Sequence, residues 1–141
     1  MEYDIEKCYY SDGEIKSIEY YVNELCHRED GPAHIEYYEN GNIDFERYYI
    51  NGKQHREDGP TYISYNTDGS VRYKEYNLNG RNHREDGPAC IGYYKNGNIS
   101  YEEYYINGKL HKEDGPAVVC YYENGEVEIK KYYLRNNDYT N

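Results

Sequence analysis

The sequence predicts an all-β fold of tandem 28-residue β-hairpin units that form one elongated antiparallel meander sheet. Two observations carry this prediction. Near-identical phrases, HREDGP or HKEDGP, recur with a spacing of 28 residues, beginning at His27, His55, His83 and His111. After each phrase come two extended, tyrosine-rich segments with an Asn-Gly or Asp-Gly turn signal between them. No segment combines helical apolar spacing with a cap, so we expect almost no helix.

The spacing organises residues 1–141 as a single repeat domain. The full units are 27–54, 55–82, 83–110 and 111–138, and residues 1–26 match the second part of the same unit. The chain is therefore expected to begin inside a repeat or with a degenerate first copy. With strands ~4.8 Å apart, about ten strands would give an object roughly 45–50 Å long. Asn23-Glu24 and Arg135-Asn136 replace the Asn-Gly of the internal units, so the terminal units are expected to act as caps.

The first strand of a unit is predicted over residues 33–38, with Ile35 and Tyr37 on one face. Asn40-Gly41 then predicts a type I′ hairpin turn, which needs positive φ at both central residues. The glycines expected to have positive φ are Gly41, Gly69, Gly97 and Gly125.

The second strand is predicted from Ile43 to Ile50, and the Asn-Gly after it should end the strand. Ile43 and Phe45 share one face, but Tyr48 and Ile50 have the opposite parity. A β-bulge near Glu46-Arg47 would bring both pairs to one face. The alternative is a sheet with two apolar faces.

The recurring phrase is predicted to be the connection between units. Aspartate can bond to the backbone that follows it, glycine accepts strained backbone, and proline can open a strand without an N–H. The turn residues are Asp30, Gly31 and Pro32; Asp58, Gly59 and Pro60; Asp86, Gly87 and Pro88; and Asp114, Gly115 and Pro116.

The four repeated histidines suggest two roles. One is a metal or catalytic ladder with Glu29, Asp30 and their counterparts; the other is structural, with Arg28 pairing with an acidic neighbour. Equivalent histidines would lie roughly 9–10 Å apart, whereas metal ligands sit ~2 Å from the ion. We therefore predict a structural role, with no metal, no cofactor and no catalytic residue. No G-x-S-x-G, P-loop or Cys–His motif indicates an enzyme.

Composition limits the partners. The net charge is −11, which argues against nucleic acid and anionic membranes as partners. Aliphatic residues are few, as in disordered chains, but the 23 tyrosines recur at fixed positions and could supply a core.

The amino terminus lacks secretory-leader features and no apolar run could span a membrane, so an intracellular, cytoplasmic location is expected. The cysteines are predicted to be free thiols: Cys8, Cys26, Cys90 and Cys120.

The run YYINGKLHKEDGPAVVCYYENG is similar to the HREDGPA-type variant of the MORN repeat, found in proteins of giant DNA viruses, their virophages and some bacteria. The resemblance covers nearly the whole chain, although the tryptophan of the usual YxGxW-like core is absent and the units are longer. It implies an elongated antiparallel meander with a scaffold or adaptor role, and for a viral protein a location in the host cytoplasm. It implies no catalytic residue.

Adjacent tyrosines in a strand face opposite sides of the sheet. One set should form a cross-strand core ladder, and the other either extends that ladder or forms a partner surface. The candidate binding residues are Tyr38, Tyr49, Tyr94, Tyr105, Tyr122 and Tyr133.

Three functions follow from these features. The leading one is a non-catalytic scaffold for protein–protein interaction. The second is a module that binds a small ligand or glycan on the tyrosine face. The third is an antitoxin-like inhibitor whose acidic surface occupies a basic partner. Self-association through an edge strand or the tyrosine face is also expected, because a one-layer sheet has open edges.

Overall fold

The computed structural model describes residues 1–138, which form strands and turns without a helix. The all-β prediction is therefore confirmed. The strands are β1 Asp4–Tyr9, β2 Ile15–Val22, β3 Leu25–Cys26, β4 His34–Tyr37, β5 Ile43–Arg47, β6 Tyr49–Ile50, β7 Lys53–Gln54, β8 Tyr62–Tyr65, β9 Val71–Glu75, β10 Asn77–Leu78, β11 Arg81–Asn82, β12 Cys90–Tyr93, β13 Ile99–Glu103, β14 Tyr105–Ile106, β15 Lys109–Leu110, β16 Val118–Tyr121, β17 Val127–Lys131, β18 Tyr133–Leu134 and β19 Asn137–Asp138.

One meander sheet runs through all the units. Its order is β1-β2-β4-β5-β8-β9-β12-β13-β16-β17, and β3 pairs with the end of β2. Each pair in this order is antiparallel. Each long strand therefore pairs with the next long strand along the chain, so a unit contacts mainly its neighbours in sequence.

The turns between the long strands differ from the predicted type. In the first full unit the Gly41 N–H donates to the Tyr38 carbonyl (2.9 Å), and the Tyr38 N–H donates to the Asn42 carbonyl (2.8 Å). Gly41 has φ +86°, but Asn40 has no positive φ. The type I′ prediction is wrong here, because the loop is longer and has a single left-handed residue. The prediction of positive φ is confirmed at Gly41, Gly69, Gly97 and Gly125.

The type I′ turn occurs instead at the second Asn-Gly of each internal unit. Asn51 and Gly52 have φ +49° and +77°, and Ile50 pairs with Lys53 across them. The chain thus makes a second, short hairpin, β6–β7, before it enters the next HREDGP phrase. The predicted end of the strand at Asn51-Gly52 is confirmed, but the long second strand is broken at Tyr48 and a short return strand follows the turn.

The terminal units make the same short hairpin without glycine. Asn23 and Glu24 have φ +50° and +65°, and Arg135 and Asn136 have φ +52° and +68°. The expected caps are thus ordinary hairpins whose turn residues are strained, because side chains with a Cβ disfavour this backbone region.

A β-bulge settles which residues share a face. Glu36 pairs with Phe45, but Tyr37 pairs with Ile43, so β5 carries one extra residue at this point. Ile43 and Phe45 therefore face opposite sides, and the sheet has two apolar faces. The bulge predicted near Glu46-Arg47 is wrong in position. The same shift occurs in the other long hairpins, after Cys8, Ser64, Gly92 and Cys120.

The most deeply buried side chains follow the HREDGP phrases. Ala33 has no exposed surface, its N–H donates to the Arg47 carbonyl and its carbonyl accepts from the Tyr20 N–H, each at 2.8 Å. Small side chains occupy this position because it lies between two neighbouring strands. The equivalent residues, also without exposed surface, are Thr61, Ala89 and Ala117.

Replacing Gly97 by valine should lower the free energy of unfolding by more than about 1 kcal/mol, because a β-branched residue is strained at positive φ. A Cβ at this position would meet no other atom within 4 Å, so strain alone is tested. Lys95→Val, in the same exposed loop, is the control. Equal thermal melts for the two variants would contradict the turn assignment.

Replacing Glu24 by glycine should raise the free energy of unfolding by up to about 1 kcal/mol, because glycine tolerates the positive φ that glutamate holds under strain. Chemical denaturation measures the change. Glu24→Ala keeps a Cβ and should not stabilise; a similar gain in both variants would trace the effect to charge instead of backbone.

Candidate interaction surface

Each HREDGP loop is closed by its arginine. In the first loop, Arg28 Nε donates to Asp30 Oδ1 (2.8 Å) and its Nη1 donates to the Pro32 carbonyl (3.3 Å). The hydrogen bond from Arg28 holds the pKa of the Asp30 carboxyl below its usual value. Arg56 and Arg84 repeat both bonds in their own loops.

The same cationic side chain covers a tyrosine of the sheet. The Arg28 guanidinium carbon lies 4.1 Å from the centre of the Tyr20 ring. A Cβ at Gly31 would lie 3.1 Å from this guanidinium carbon, which explains the glycine. The strained backbone predicted for this glycine is wrong, since Gly31 has no positive φ. These stacked pairs define the loop-covered face, and their counterparts are Arg56 on Tyr48, Arg84 on Tyr76 and Lys112 on Tyr104, at 4.1, 4.0 and 3.9 Å.

The repeated histidines connect the loops to the short hairpins. His27 Nδ1 accepts a hydrogen bond of 2.9 Å from the Asn51 N–H. The equivalent bonds at His55, His83 and His111 measure 3.4, 3.0 and 3.2 Å. An accepting Nδ1 requires the neutral tautomer with its proton on Nε2. In residues 1–138, no group of three or more His, Cys, Asp or Glu side chains could hold a metal ion.

Three of the six tyrosines predicted to bind a partner lie at the turn end of the strands. The Tyr38 hydroxyl donates to the Tyr65 carbonyl (2.8 Å), and the Tyr94 hydroxyl donates to the Tyr121 carbonyl (2.7 Å). These bonds link one unit to the next. Tyr122, at the same position in the last unit, is 50% exposed.

The other three predicted tyrosines, Tyr49, Tyr105 and Tyr133, belong to the short hairpins at the opposite end of the strands. The Tyr105 hydroxyl bonds to Glu103 at 3.3 Å, and burial, followed by the Glu103 charge, raises its pKa to about 12. The structure therefore does not bring the six tyrosines together on one surface.

A ladder of rings that the sequence analysis missed runs across the face opposite the loops. Its members are His34, Phe45, Tyr62, Tyr73 and Tyr101, with successive ring centres 5.0, 5.8, 5.8 and 6.3 Å apart. We call this surface the aromatic face. The bulge hid it, because simple alternation across the hairpin assigns Phe45 to the side of Ile43. The one-residue change of parity after each turn was the signal that could have revealed it.

Small residues create a shallow depression in the aromatic face. Ser64 and Gly92 lie at its base between Tyr62, Tyr73 and Tyr101, and its volume is about 440 Å³. A Cβ at Gly92 would lie 2.2 Å from Tyr101 Cε1, so the tyrosine ring rests directly on the glycine.

Acidic side chains accompany the rings. The register places Glu19 opposite His34 and Glu36 opposite Phe45, and further along the sheet it places Glu75 opposite Tyr62. Arg47 is the main counter-charge, with its guanidinium 4.8 and 4.9 Å from the centres of two rings of the ladder. The face therefore combines aromatic area with excess negative charge.

Nothing in the described chain forms a second layer over the aromatic face. Within residues 1–138, the strand pairs in substantial contact are all hydrogen-bonded neighbours. The rings are only half-buried. The described residues also contain no helix that is long and apolar enough to cross a membrane.

The cysteines are free thiols in the structure, as predicted. Cys90 is 2% exposed beneath the ring ladder, and burial raises the pKa of its thiol to about 12. A protonated, inaccessible thiol is a poor nucleophile.

Comparison with protein families now identifies the repeat. Four segments match the model of a MORN repeat variant, at residues 5–23, 33–51, 89–107 and 117–134, which together make up more than half of the chain. This chain belongs to the MORN repeat variant family. MORN repeats are generally non-catalytic modules that commonly mediate interactions, and each match here spans one long hairpin and ends at or just before the turn of the following short hairpin. No curated protein and no solved structure matched the chain.

The unit at residues 55–82 lies outside the matched MORN segments. It has Asn77 where the neighbouring units have Tyr49 and Tyr105. The Asn77 amide donates to Thr61 Oγ1 (2.9 Å) and to Glu75 Oε1 (2.6 Å), so a buried polar network replaces a ring. This unit keeps the strand pattern of its neighbours while changing the side chains that fill it.

The loop geometry predicts a structural role for the histidines. His83→Ala should lower the free energy of unfolding by about 1 kcal/mol, because the Asn107 N–H loses its acceptor. Added chelator should leave the melting temperature of the wild type unchanged, since no metal would contribute to the folded state. A chelator-induced fall of several degrees that one ion reverses would instead make these loops metal sites.

Proposed function

We propose that this chain is a non-catalytic scaffold that binds a protein segment on its aromatic face. The bound segment carries apolar side chains that pack on the rings and basic side chains that meet the surrounding glutamates. The observation that supports this most directly is the uncovered ladder of rings on one side of a sheet whose other side is occupied by loops. Aromatic rings bury large areas at low entropic cost, as protein-binding surfaces require.

Variation among the units supports the same surface. On the loop-covered face, equivalent apolar positions hold nearly the same residue, as in Ile35, Ile63, Ile91 and Val119. On the aromatic face, the row that contains Phe45, Tyr73 and Tyr101 is similar, but other equivalent positions differ, as in His34, Tyr62, Cys90 and Val118. Residues that only hold units together can repeat, whereas a surface that fits one non-repeating partner must vary along its length.

Where the protein acts is part of the proposal. The HREDGPA-type phrase supports an origin in a giant DNA virus or virophage, with the scaffold working in the cytoplasm of an infected cell. The free thiols fit a reducing compartment.

A second candidate is a ligand- or glycan-binding module. The feature that favours it is the depression between Tyr62, Tyr73 and Tyr101, where a sugar ring could stack above Ser64. The antitoxin-like role would instead use the exposed acidic groups of the loops, of which Glu85 and Asp86 are each 86% exposed.

Isothermal titration with defined peptides tests the scaffold proposal. A short peptide of alternating leucine and lysine should bind, and its leucine–glutamate counterpart should not. Tyr62→Ala and Tyr101→Ala should each weaken binding about tenfold, because truncated aromatic anchors typically cost more than 1 kcal/mol. Leu78→Ala, an exposed change in a short hairpin, should leave binding unchanged.

The salt dependence of peptide binding and a panel of oligosaccharides distinguish the scaffold from the antitoxin-like role and the glycan-binding module. Binding to the aromatic face should weaken with salt but persist, since only part of it is ionic. If the peptide affinity is unchanged in both tyrosine variants and binding is lost at high salt, the proposal is contradicted and the acidic loops are favoured as the binding site. Binding of an oligosaccharide from a panel, lost in Tyr73→Ala, together with no peptide binding, would favour the glycan module.

A further inference from the structure

The two outermost long strands leave apolar surface exposed. On β1, Ile5 is 51% and Tyr9 is 56% exposed; on β17, Val127 is 46% and Ile129 is 42% exposed. Internal residues equivalent to these are buried or half-buried by the neighbouring unit. Within residues 1–138, each edge therefore lacks a neighbour that every internal strand has.

The two edges are complementary. Strand β17 corresponds to β5, β9 and β13, which pair on their outer side with β8, β12 and β16. Strand β1 occupies the same place in its unit as β8, β12 and β16 do in theirs, since Cys8 corresponds to Ser64. In the internal pairings the residue matching Ile129 lies opposite the residue matching Cys8, as Phe45 lies opposite Ser64.

We propose that copies of this chain join head to tail, with β17 of one copy pairing with β1 of the next in the register of the internal units. This places Ile129 opposite Cys8, Lys130 opposite Lys7 and Lys131 opposite Glu6. The partner is thus a second copy of the chain, and the joint is one more inter-unit pairing. The inference does not depend on the aromatic face as a binding site.

One exposed tyrosine hydroxyl at the end of the sheet matches the same joint. Tyr38 and Tyr94 each donate to a carbonyl of the following unit. Tyr122, half exposed in the last unit, would reach the equivalent carbonyl, that of Tyr9 in the next copy. The end of one copy therefore carries the donor that most of the internal joints use.

Charges at the joint set its strength. Lys131 opposite Glu6 is favourable, but Lys130 opposite Lys7 is a like-charge pair directly across two strands, which is unfavourable. Lysines on edge strands are a common means of restraining edge-to-edge pairing. The joint is consequently weak, and it is adjustable by single charge changes.

The joint has no closing symmetry. Each copy uses one edge for its predecessor and the other for its successor, so assembly produces an open series instead of a dimer. One copy adds ten long strands, or roughly 48 Å at ~4.8 Å per strand.

Sedimentation velocity of the purified chain over a range of concentrations tests the register. Lys7→Glu converts the like-charge pair into an attractive one and should lower the concentration needed for association about fivefold. The double variant Lys7→Glu/Lys130→Glu restores a like-charge pair and should return association to the wild-type level. Lys53→Glu, the same charge change in an exposed short hairpin, should have no effect.

The proposal is overturned if Lys7→Glu remains a monomer at high concentration. It is equally overturned if association stops at a dimer, or if the double variant associates like Lys7→Glu. Tyr122→Phe gives a separate measurement: it should weaken association at least twofold while leaving the melting temperature unchanged. Tyr94→Phe, which removes an internal donor, should lower the melting temperature and leave association unchanged. The reverse pattern would place Tyr122 outside the joint.

Discussion

A sheet of one layer cannot bury its side chains against a second layer, so each unit of this protein depends on the unit beside it. The dependence is built from a few repeated contacts. A cation from each HREDGP loop covers a sheet tyrosine, and a buried small residue sits between two strands. In three of the hairpin turns a tyrosine hydroxyl bonds to the next unit. The energetics are therefore nearly those of a linear array with nearest-neighbour coupling.

These contacts explain why the HREDGP phrase varies so little. Arginine needs aspartate and a carbonyl as partners, glycine leaves room for the guanidinium, and histidine accepts a hydrogen bond from the short hairpin. The last unit has Lys112 in place of arginine, and there the steric need for glycine is weaker. A Cβ at Gly115 would lie 3.6 Å from the lysine side chain, which is an ordinary contact. The contacts that hold the units together lie on the loop-covered face, so residues on the aromatic face can differ from unit to unit.

Much of this fold follows from the sequence. The 28-residue spacing, the extended tyrosine-rich segments and the glycines predicted the meander, its strand number and the left-handed residues at Gly41 and its counterparts. The turn types and the bulge were not predictable in the same way. Asn-Gly favours a two-residue turn at both sites, and the extra residue of β5 that moves Phe45 to the other face depends on pairing between strands. The ring ladder was missed for that reason, since its members are neighbours only across the sheet.

The most direct test of the account is deletion of one unit. Removing residues 55–82 joins Gln54 to His83 and keeps every remaining strand in register, so the shortened chain should fold cooperatively with a lower melting temperature. Removing Ser64 alone, in the middle of β8, instead shifts the alternation within that strand and turns part of its side chains to the wrong face, so this smaller deletion should lower the melting temperature more than removal of the whole unit. Far-ultraviolet circular dichroism during thermal melting distinguishes the two outcomes. Equal loss of structure in both deletions would contradict the claim that the units are interchangeable and held by nearest-neighbour contacts.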